Sequence, residues 1–184
     1  MDSVKIGLIG LGTIGTGVAK TLLENTALLE ERLGFSLDLT AIADIDITKD
    51  RGVSIPRNML TTDAYAIINN PDVDIVVELI GGIEPARTFI LDSLKAGKHV
   101  VTANKALLAS KGKELFDAAQ TCGRDLYYEA SVGGGIPIIK TLRESLIANN
   151  FVFIYGILNG TCNFILTEMS EKGSSFEDTL RQAQ

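Results

Sequence analysis

The sequence has 184 residues, of which 46% are hydrophobic and 22% are charged, and its formal net charge is −6. This length and apolar content suffice for one full domain and part of a second, while the acidic balance argues against a nucleic-acid partner. No apolar run approaches the roughly 20 residues that span a bilayer, and no room precedes the first predicted strand for a signal peptide, so we expect a cytoplasmic protein without membrane contact.

In the first two thirds of the chain, short apolar runs alternate with stretches of helical spacing, as in consecutive βαβ units. The predicted strands are VKIGLIG, SLDLTAIAD, DVDIVVELIGG, KHVVTA and DLYYEAS, and the predicted helices cover 13–33, 64–69, 85–95 and 105–122. Gly34 and Gly97 follow two of these helices, as glycine often does at a helix end. This alternation predicts an α/β fold, a Rossmann-type doubly wound parallel sheet over residues 1–131.

The sequence changes character after residue 131. The glycine-rich loop VGGGIP precedes a predicted helix over 136–147, a strand in FVFIYGILNG and a helix in TCNFILTEMSEKG that Thr161 would cap. A last helix begins at SFEDTLRQAQ, where Ser175 and Asp178 form a capping pair. One strand and a few helices cannot bury themselves alone. We therefore expect 132–184 to be the beginning of an α+β catalytic and dimerisation domain, in a truncated chain or a natural half-protein.

A glycine motif closes the first predicted strand and opens the first helix. Gly10, Gly12 and Gly15 form the pattern G-x-G-x-x-G. In that context the first glycine permits a tight turn, the second lets a pyrophosphate approach the backbone, and the third lets helix and strand pack closely. Amide groups at the helix N-terminus then bind the phosphates. The motif predicts a site for NAD or NADP.

An acidic residue at the end of the second strand of such a fold binds the adenosine ribose hydroxyls. Asp44 is in that position, and the neighbouring Asp46 could replace it. A solvated strand-end carboxylate is the alternative interpretation. Since no arginine directly follows either residue, the sequence favours NAD over NADP, although Lys49 and Arg51 keep the phosphorylated cofactor possible.

Two polar segments, ELIGG and TANKALL, follow later predicted strands. Ligands of open parallel sheets bind outside these strand ends, so we expect Gly81, Asn104 and Lys105 near the nicotinamide. A fixed ammonium there would stabilise the negative charge that develops on a carbonyl oxygen during its reduction. The alternative is that Lys105 opens a helix and points into water. We interpret His99, inside a strand, as structural.

Five segments of the sequence, in this order, resemble the N-terminal portion of homoserine dehydrogenases. They are GLGTIGTGV, VVELIGG, VVTANKALLA, YYEASVGGGIPII and ILNGTCNFIL, and the resemblance runs from Val4 to Gln184. This family reduces aspartate 4-semialdehyde to homoserine with a nicotinamide cofactor, in threonine and methionine biosynthesis. The resemblance implies a cytoplasmic oxidoreductase that acts on a small molecule and forms a homodimer at full length.

The resemblance also implies roles for particular residues. Lys105 matches a catalytic lysine that reaches the nicotinamide and the reacting carbonyl. The other matches are Gly10, Gly12, Thr13, Ile14 and Gly15 in the dinucleotide loop, the backbone oxygens of Glu129, Val132, Gly134 and Ile136 around a monovalent cation, usually sodium, and Gly160 and Thr161 beside the homoserine site. Irregular glycine-rich backbone leaves carbonyl oxygens for hard cations; a plain connector is the alternative.

In the family, a second lysine, an acidic residue before it and a substrate-binding glutamate follow the segment that this chain matches. Without that acid/base machinery, we expect the 184-residue piece to bind the cofactor and to turn over slowly or not at all. Two other functions stay open. Another NAD(P)-dependent amino-acid or carbonyl dehydrogenase would have no reason for EASVGGGIP followed by NGTCNFIL. The truncated catalytic half slightly favours a non-catalytic NAD-binding module, which the missing lysine segment, if found in the parent reading frame, would exclude.

Overall fold

The computed structural model describes residues 3–157 and 159–184. The described residues form two compact units, one that ends at Gly134 and one that begins at Gly135. Compactness alone assigns no ligand to either unit, so the division into a cofactor domain (1–131) and a substrate domain (132–184) stays a prediction.

The first unit is built on a sheet of six parallel strands. The strands are β1 (Ser3–Ile9), β2 (Ser36–Ala43), β3 (Leu60–Thr61), β4 (Ile75–Glu78), β5 (His99–Thr102) and β6 (Leu126–Tyr127). Their order across the sheet is β3-β2-β1-β4-β5-β6, and each pair of neighbours is parallel. This order is that of doubly wound dinucleotide-binding sheets, with the topological switch between β1 and β4. The predicted fold class is confirmed; only the short strand β3 had no signal in the sequence.

Five α-helices connect these strands in the described residues. They are α1 (Thr13–Glu24), α2 (Thr26–Leu33), α3 (Tyr65–Ile68), α4 (Ala86–Lys95) and α5 (Lys105–Cys122). The prediction of one helix over 13–33 was wrong at Asn25, whose backbone leaves the helical region (φ −110°, ψ 20°). Asparagine and threonine compete with helical hydrogen bonds through their side chains, and the Thr26 hydroxyl donates to the Leu22 carbonyl at 2.9 Å. Gly34 ends α2 with φ 78°, as predicted.

Helices cover both faces of the sheet, because consecutive side chains of a strand point to opposite faces. Leu8 of β1 packs with Ala19 of α1 in one buried cluster. Its neighbour Ile9 packs with Ile67 of α3 in another. The sheet is therefore a rigid platform, and its carboxyl edge holds the loops that carry the predicted site residues.

The second unit is helical in the residues described. Its helices are α6 (Ile138–Lys140), which continues as a wider π-helical stretch over Thr141–Ser145, α7 (Gly160–Lys172) and α8 (Phe176–Ala183). The strand predicted in FVFIYGILNG was wrong: 151–157 have no regular structure, and Val152 and Tyr155 are 92% and 87% exposed. Leu158, within that segment, lies outside the described residues. A strand needs a neighbour for its backbone hydrogen bonds, and the described residues of this unit supply none.

Of the two helix caps predicted in the second unit, one is confirmed and one was wrong. The side chain of Asn159, not of Thr161, caps α7 by accepting the Cys162 N–H at 2.8 Å. Asparagine and threonine both cap helices well. Because Asn159 is the cap, the helix begins at Gly160 and not after Thr161. Ser175 caps α8 as predicted, accepting the Asp178 N–H at 3.1 Å. Within the described part of the chain, every helix is too short or too polar to cross a lipid bilayer.

Replacing Ile42 with alanine should lower the free energy of unfolding by about 2 to 5 kcal/mol, since a completely buried side chain leaves a cavity in the sheet core. Ile45→Ala is the matched control, because Ile45 is 97% exposed and its loss should change stability by less than about 0.5 kcal/mol. Urea denaturation measures both. Equal losses would contradict the packing of β2 described above.

Candidate functional site

The turn between β1 and α1 can only be made by glycine at two of its positions. Gly10 has φ +100°, and a β-carbon there would lie 2.7 Å from the backbone of Leu79. A β-carbon on Gly15 would lie 2.0 Å from the Gly10 carbonyl oxygen. Helix α1 therefore begins in direct contact with the end of β1, as the glycine motif predicts.

Gly12 differs from the other two glycines because the space beside it is open. No atom lies within 4 Å of a β-carbon placed on Gly12, and its backbone is extended (φ −68°, ψ −162°). Thr13 and Ile14, which follow it, are exposed, and no side chain caps the first turn of α1. The amide groups of that turn are thus available to an anionic group.

A cleft of about 680 Å³ opens beside this turn. Its walls come from the loops that follow β1, β2, β3 and β4, which all lie at the carboxyl edge of the parallel sheet. Among the predicted site residues, Gly10, Gly12, Asp44 and Gly81 line the cleft. Its size falls in the range of small-molecule and cofactor sites.

The carboxylate of Asp44 is held in the cleft by three donors. Its Oδ2 accepts the Leu11 N–H at 2.5 Å. Its Oδ1 accepts the Asp46 N–H at 2.9 Å and Arg51 Nη2 at 3.1 Å. The ion pair with Arg51 had no strong signal in the sequence, because seven positions separate the two residues and only the loop between them brings them together.

The side chain of the neighbouring Asp46 accepts hydrogen bonds from the loop residues that follow it. Its Oδ1 accepts the backbone N–H and the hydroxyl of Thr48 at 3.0 and 2.7 Å and the Lys49 N–H at 3.2 Å. The hydroxyl of Thr48 contributes most to a lowered pKa of the Asp46 carboxyl. Each of the two carboxylates accepts three hydrogen bonds and lines the cleft, so both Asp44 and Asp46 stay candidates for binding a ribose.

Two aromatic residues of the cleft were missed by the sequence analysis. Tyr65 and Phe89 line it, with ring centroids 5.6 Å apart and ring planes at 89°. The Tyr65 hydroxyl donates to Asp92 Oδ2 at 2.9 Å, and this bond raises the pKa of the Tyr65 phenol. Their flat apolar surfaces suit a heteroaromatic ring. In the sequence these residues show only helical spacing.

Glu78, the last residue of β4, is a completely buried carboxylate. Its Oε1 accepts the N–H groups of Ile80 and Gly81 at 2.8 and 3.3 Å. Its Oε2 accepts the Thr102 hydroxyl at 2.7 Å. Buried charges need such donors, and no described cation pairs with this one. Glu78 therefore fixes the turn over 79–82 and joins it to the end of β5.

Asn104 continues this hydrogen-bond network to the start of α5. Its backbone N–H donates to the Thr102 hydroxyl at 3.0 Å. Its side chain donates to the Gly82 carbonyl at 2.7 Å and accepts the Leu107 N–H at 3.1 Å as the N-cap of α5. Asn104 is outside the walls of the cleft, and its predicted contact with the cofactor stays a prediction.

Lys105 is the first residue of α5 and is exposed. Its ammonium has no ion pair or hydrogen bond with any residue that the structure describes. A cation at a helix N-terminus opposes the helix dipole, so stability of α5 does not account for a lysine at this position. Lys105 is not a wall residue of the 680 Å³ cleft, but it directly follows the network that fixes the turn over 79–82.

The four residues predicted to surround a cation fall in both units: Glu129, Val132 and Gly134 in the first and Ile136 in the second. The carbonyl oxygens of Glu129 and Ile136 each accept a backbone N–H, at 3.2 and 2.8 Å. No group of three or more His, Cys, Asp or Glu side chains in the described ranges could hold a metal ion, so a site here would depend on backbone oxygens. Gly160 and Thr161 begin α7 in the second unit.

Family models match nearly the whole chain. A model described as "Homoserine dehydrogenase, NAD binding domain" matches residues 10–129, and one described as "Homoserine dehydrogenase" matches residues 137–184. Curated relatives include the homoserine dehydrogenases of Bacillus subtilis, 44% identical, and Corynebacterium glutamicum, 48% identical. These alignments cover 100% and 99% of this chain and 42% and 41% of the relatives, so the chain spans about two fifths of their length.

Solved structures give the same result. A homoserine dehydrogenase from Thiobacillus denitrificans superimposes with a TM-score of 0.88 at 46% identity, over 100% of this chain and 42% of that one. A hyperthermophilic archaeal homoserine dehydrogenase in complex with NADPH has a TM-score of 0.77 at 27% identity, over 98% of this chain and 60% of that one.

Replacing Thr102 with valine should lower the free energy of unfolding by about 2 kcal/mol or more, because a buried carboxylate oxygen of Glu78 and the N–H of Asn104 both lose their partner. Thr102→Ser keeps the hydroxyl and should retain most of the stability. Chemical denaturation of the two variants measures the difference. Equal stability of both would show that the hydroxyl does not link β4 to α5.

Proposed function

Because the chain belongs to the homoserine dehydrogenase family, we propose that it is the dinucleotide-binding part of an enzyme that reduces aspartate 4-semialdehyde to homoserine. The observation that carries this proposal is the open space beside Gly12, at the carboxyl edge of a sheet with the dinucleotide-binding strand order. In that place a diphosphate can approach the amides of α1 without displacing a side chain.

Different residues of the first unit would bind different parts of NAD or NADP. The amides of Gly12, Thr13, Ile14 and Gly15 would hold the pyrophosphate, and Asp44 would accept a hydrogen bond from the adenosine ribose. In its reduced form the cofactor would supply the hydride. Gly81, at the cleft wall, and Asn104, which bonds to the turn over 79–82, would lie near the nicotinamide. Glu78 keeps that turn in place.

Lys105 is the proposed catalytic residue. A carbonyl that accepts a hydride develops negative charge on its oxygen, and an ammonium within reach stabilises that charge. The Asn104 cap fixes the backbone from which this side chain extends. Because the ammonium has no ion pair or hydrogen bond with a described residue, no existing bond must break before it binds the substrate oxygen.

The resemblance carries further proposals of the same kind. Gly160 and Thr161 would contact homoserine, and a sodium ion would be held by backbone oxygens of Glu129, Val132, Gly134 and Ile136, because hard cations prefer oxygen ligands. The whole enzyme would be a cytoplasmic homodimer. A dehydrogenase of another family is set aside by the match over 137–184.

Gly12→Val should weaken the binding of NAD and NADP by roughly tenfold or more, since the new side chain occupies the space through which the diphosphate approaches. The fold should persist, because no atom lies within 4 Å of the new β-carbon. Gly17→Val is the matched control, being equally free of neighbours but on the exposed side of α1. Calorimetric titration of both variants measures the effect, and wild-type affinity in Gly12→Val would refute the proposed phosphate site.

The gene that encodes this chain can be expressed in a bacterium that lacks its own homoserine dehydrogenase. We expect the gene product to reduce aspartate 4-semialdehyde there. Lys105→Ala should lower the purified enzyme's turnover by about 100-fold or more, the usual effect of removing a donor to a developing oxyanion, and leave dinucleotide affinity unchanged. Lys113→Ala, on the same helix and 88% exposed, serves as the control. No semialdehyde reduction by the full-length product of that gene would overturn the function and favour a non-catalytic NAD-binding module, whereas slow or absent turnover by the 184-residue piece alone is the expected result. Full activity of Lys105→Ala would overturn only the role of the lysine.

A further inference from the structure

Glu78, at the end of β4, lies directly behind the wall of the cleft. The three residues that follow it, Leu79, Ile80 and Gly81, line the cleft, whereas Glu78 does not. Its Oε1 atom lies 2.8 and 3.3 Å from the amide nitrogens of Ile80 and Gly81, and the residue is completely buried. A carboxyl group is thus hydrogen-bonded to two wall residues from the side that water does not reach.

The hydrogen bonds around Glu78 are those of a charged carboxylate. Both of its oxygens accept, from the two amides and from the Thr102 hydroxyl at 2.7 Å. The Thr102 oxygen itself accepts the Asn104 N–H at 3.0 Å. If Glu78 were protonated towards Thr102, the hydroxyl hydrogen would have no other acceptor among the described residues. All of these donors are neutral and no described cation pairs with Glu78, so a net negative charge remains.

Holding the turn over 79–82 does not by itself require a charge at this position. A glutamine has the same shape, and its amide oxygen could accept the same two N–H groups. A buried charge without an ion partner is costly to desolvate. The charge is therefore the property of Glu78 that the hydrogen bonds of the turn leave unexplained.

Glu78 belongs to the half of the sheet that is proposed to bind the nicotinamide. Sheets of this strand order bind the two halves of a dinucleotide on either side of the switch between β1 and β4. Asp44 follows β2 on one side, and Glu78 and Thr102 end β4 and β5 on the other. The nicotinamide would therefore face the wall that Glu78 supports.

A negative charge behind that wall would act differently on the two redox forms of the cofactor. The oxidised nicotinamide ring carries a positive charge, the reduced ring is neutral, and the rest of the dinucleotide is the same in both. Between buried groups the Coulomb attraction extends over several ångströms and is little screened by salt. Glu78 would therefore strengthen the binding of the oxidised form more than that of the reduced form.

We propose that Glu78 sets the redox balance of the bound cofactor: its charge stabilises the oxidised nicotinamide and thereby makes the reduced cofactor a stronger hydride donor. Transfer of the hydride to the substrate carbonyl carbon leaves a positive charge on the ring, where Glu78 stabilises it. The carbonyl oxygen receives the π-electron pair, is stabilised by Lys105, and then takes a proton from water. This inference rests on the proposed function and adds a residue that touches neither cofactor nor substrate.

Calorimetric titration of the wild type and of Glu78→Gln with the oxidised and the reduced cofactor tests the proposal. NAD or NADP is used, whichever the wild type binds more tightly. Glu78→Gln removes the charge and keeps the shape of the side chain. It should weaken the binding of the oxidised form by about 3- to 30-fold and that of the reduced form by less than about twofold, as expected for one buried charge several ångströms from the ring. A tenfold change in the ratio of the two affinities corresponds to about 30 mV in the potential of the bound cofactor.

Glu84→Gln is the matched control. Glu84 lies close to the same turn along the chain, but its side chain is 51% exposed and pairs with Arg87, so solvent screens its charge. The same substitution there should change the ratio of the two affinities by less than about twofold. Equal changes of the ratio in both variants would overturn the proposal.

A second measurement uses only the wild type, so it holds even if Glu78→Gln fails to fold. The infrared spectra of the complexes with oxidised and with reduced cofactor should differ by the shift of a carboxylate band, because Glu78 would lie near the ring whose charge changes. Asp44 and Asp46 lie at the adenosine end, where the two complexes are the same, and their bands should cancel. Identical carboxylate bands in the two complexes would contradict the proposed role of Glu78.

The remaining outcomes are also distinguishable. An equal loss of both affinities in Glu78→Gln overturns the proposal, because Glu78 would then act only by holding the turn over 79–82. An unchanged ratio in a folded Glu78→Gln overturns it as well. If the wild type binds neither form of either dinucleotide, the proposed function itself fails.

Discussion

The contact between the end of β1 and the start of α1 is the constraint on which the rest of the cofactor site depends. A β-carbon on Gly15 would lie 2.0 Å from the Gly10 carbonyl oxygen, and one on Gly10 would collide with the backbone after β4. Helix α1 therefore cannot be displaced from the strand, and its first-turn amides stay directed at the carboxyl edge of the sheet. Gly12 has the opposite role. No neighbour requires a glycine there, so its lack of a side chain serves access rather than packing.

The fold of the first unit could be predicted because burial on both faces of a parallel sheet leaves a strong pattern in the sequence. Helix α5 begins at Lys105 and ends at Cys122, as predicted. Prediction failed where the outcome depends on more than the local pattern. FVFIYGILNG has the composition of a strand, but a strand forms only beside another. Asn25 interrupts a helix through local competition for hydrogen bonds, which apolar periodicity does not report.

The candidate site could be predicted in part for a related reason. A motif identifies residues whose chemistry is local, such as Gly10, Gly12 and Asp44, and these lie together in one cleft. It does not identify partners that the fold brings from elsewhere. Arg51 reaches Asp44 only because the loop after β2 folds back. In the sequence, Glu78 is only the last residue of an apolar strand. Its complete burial is a property of the assembled sheet, and this burial makes it the centre of a hydrogen-bond network.

The two strand-end carboxylates of this site are stabilised in different ways, and the difference suits their positions. Glu78 is completely buried and relies on neutral donors from the turn over 79–82 and from Thr102. Moving either element would leave a buried charge unsatisfied, so the backbone that carries Lys105 is fixed by a carboxylate that the lysine does not touch. Asp44 instead pairs with a cation at the wall of an open cleft. The pair compensates both charges at the surface that a cofactor would contact. One strand-end carboxylate of this site thus fixes the backbone, and the other faces the space where the cofactor is proposed to bind.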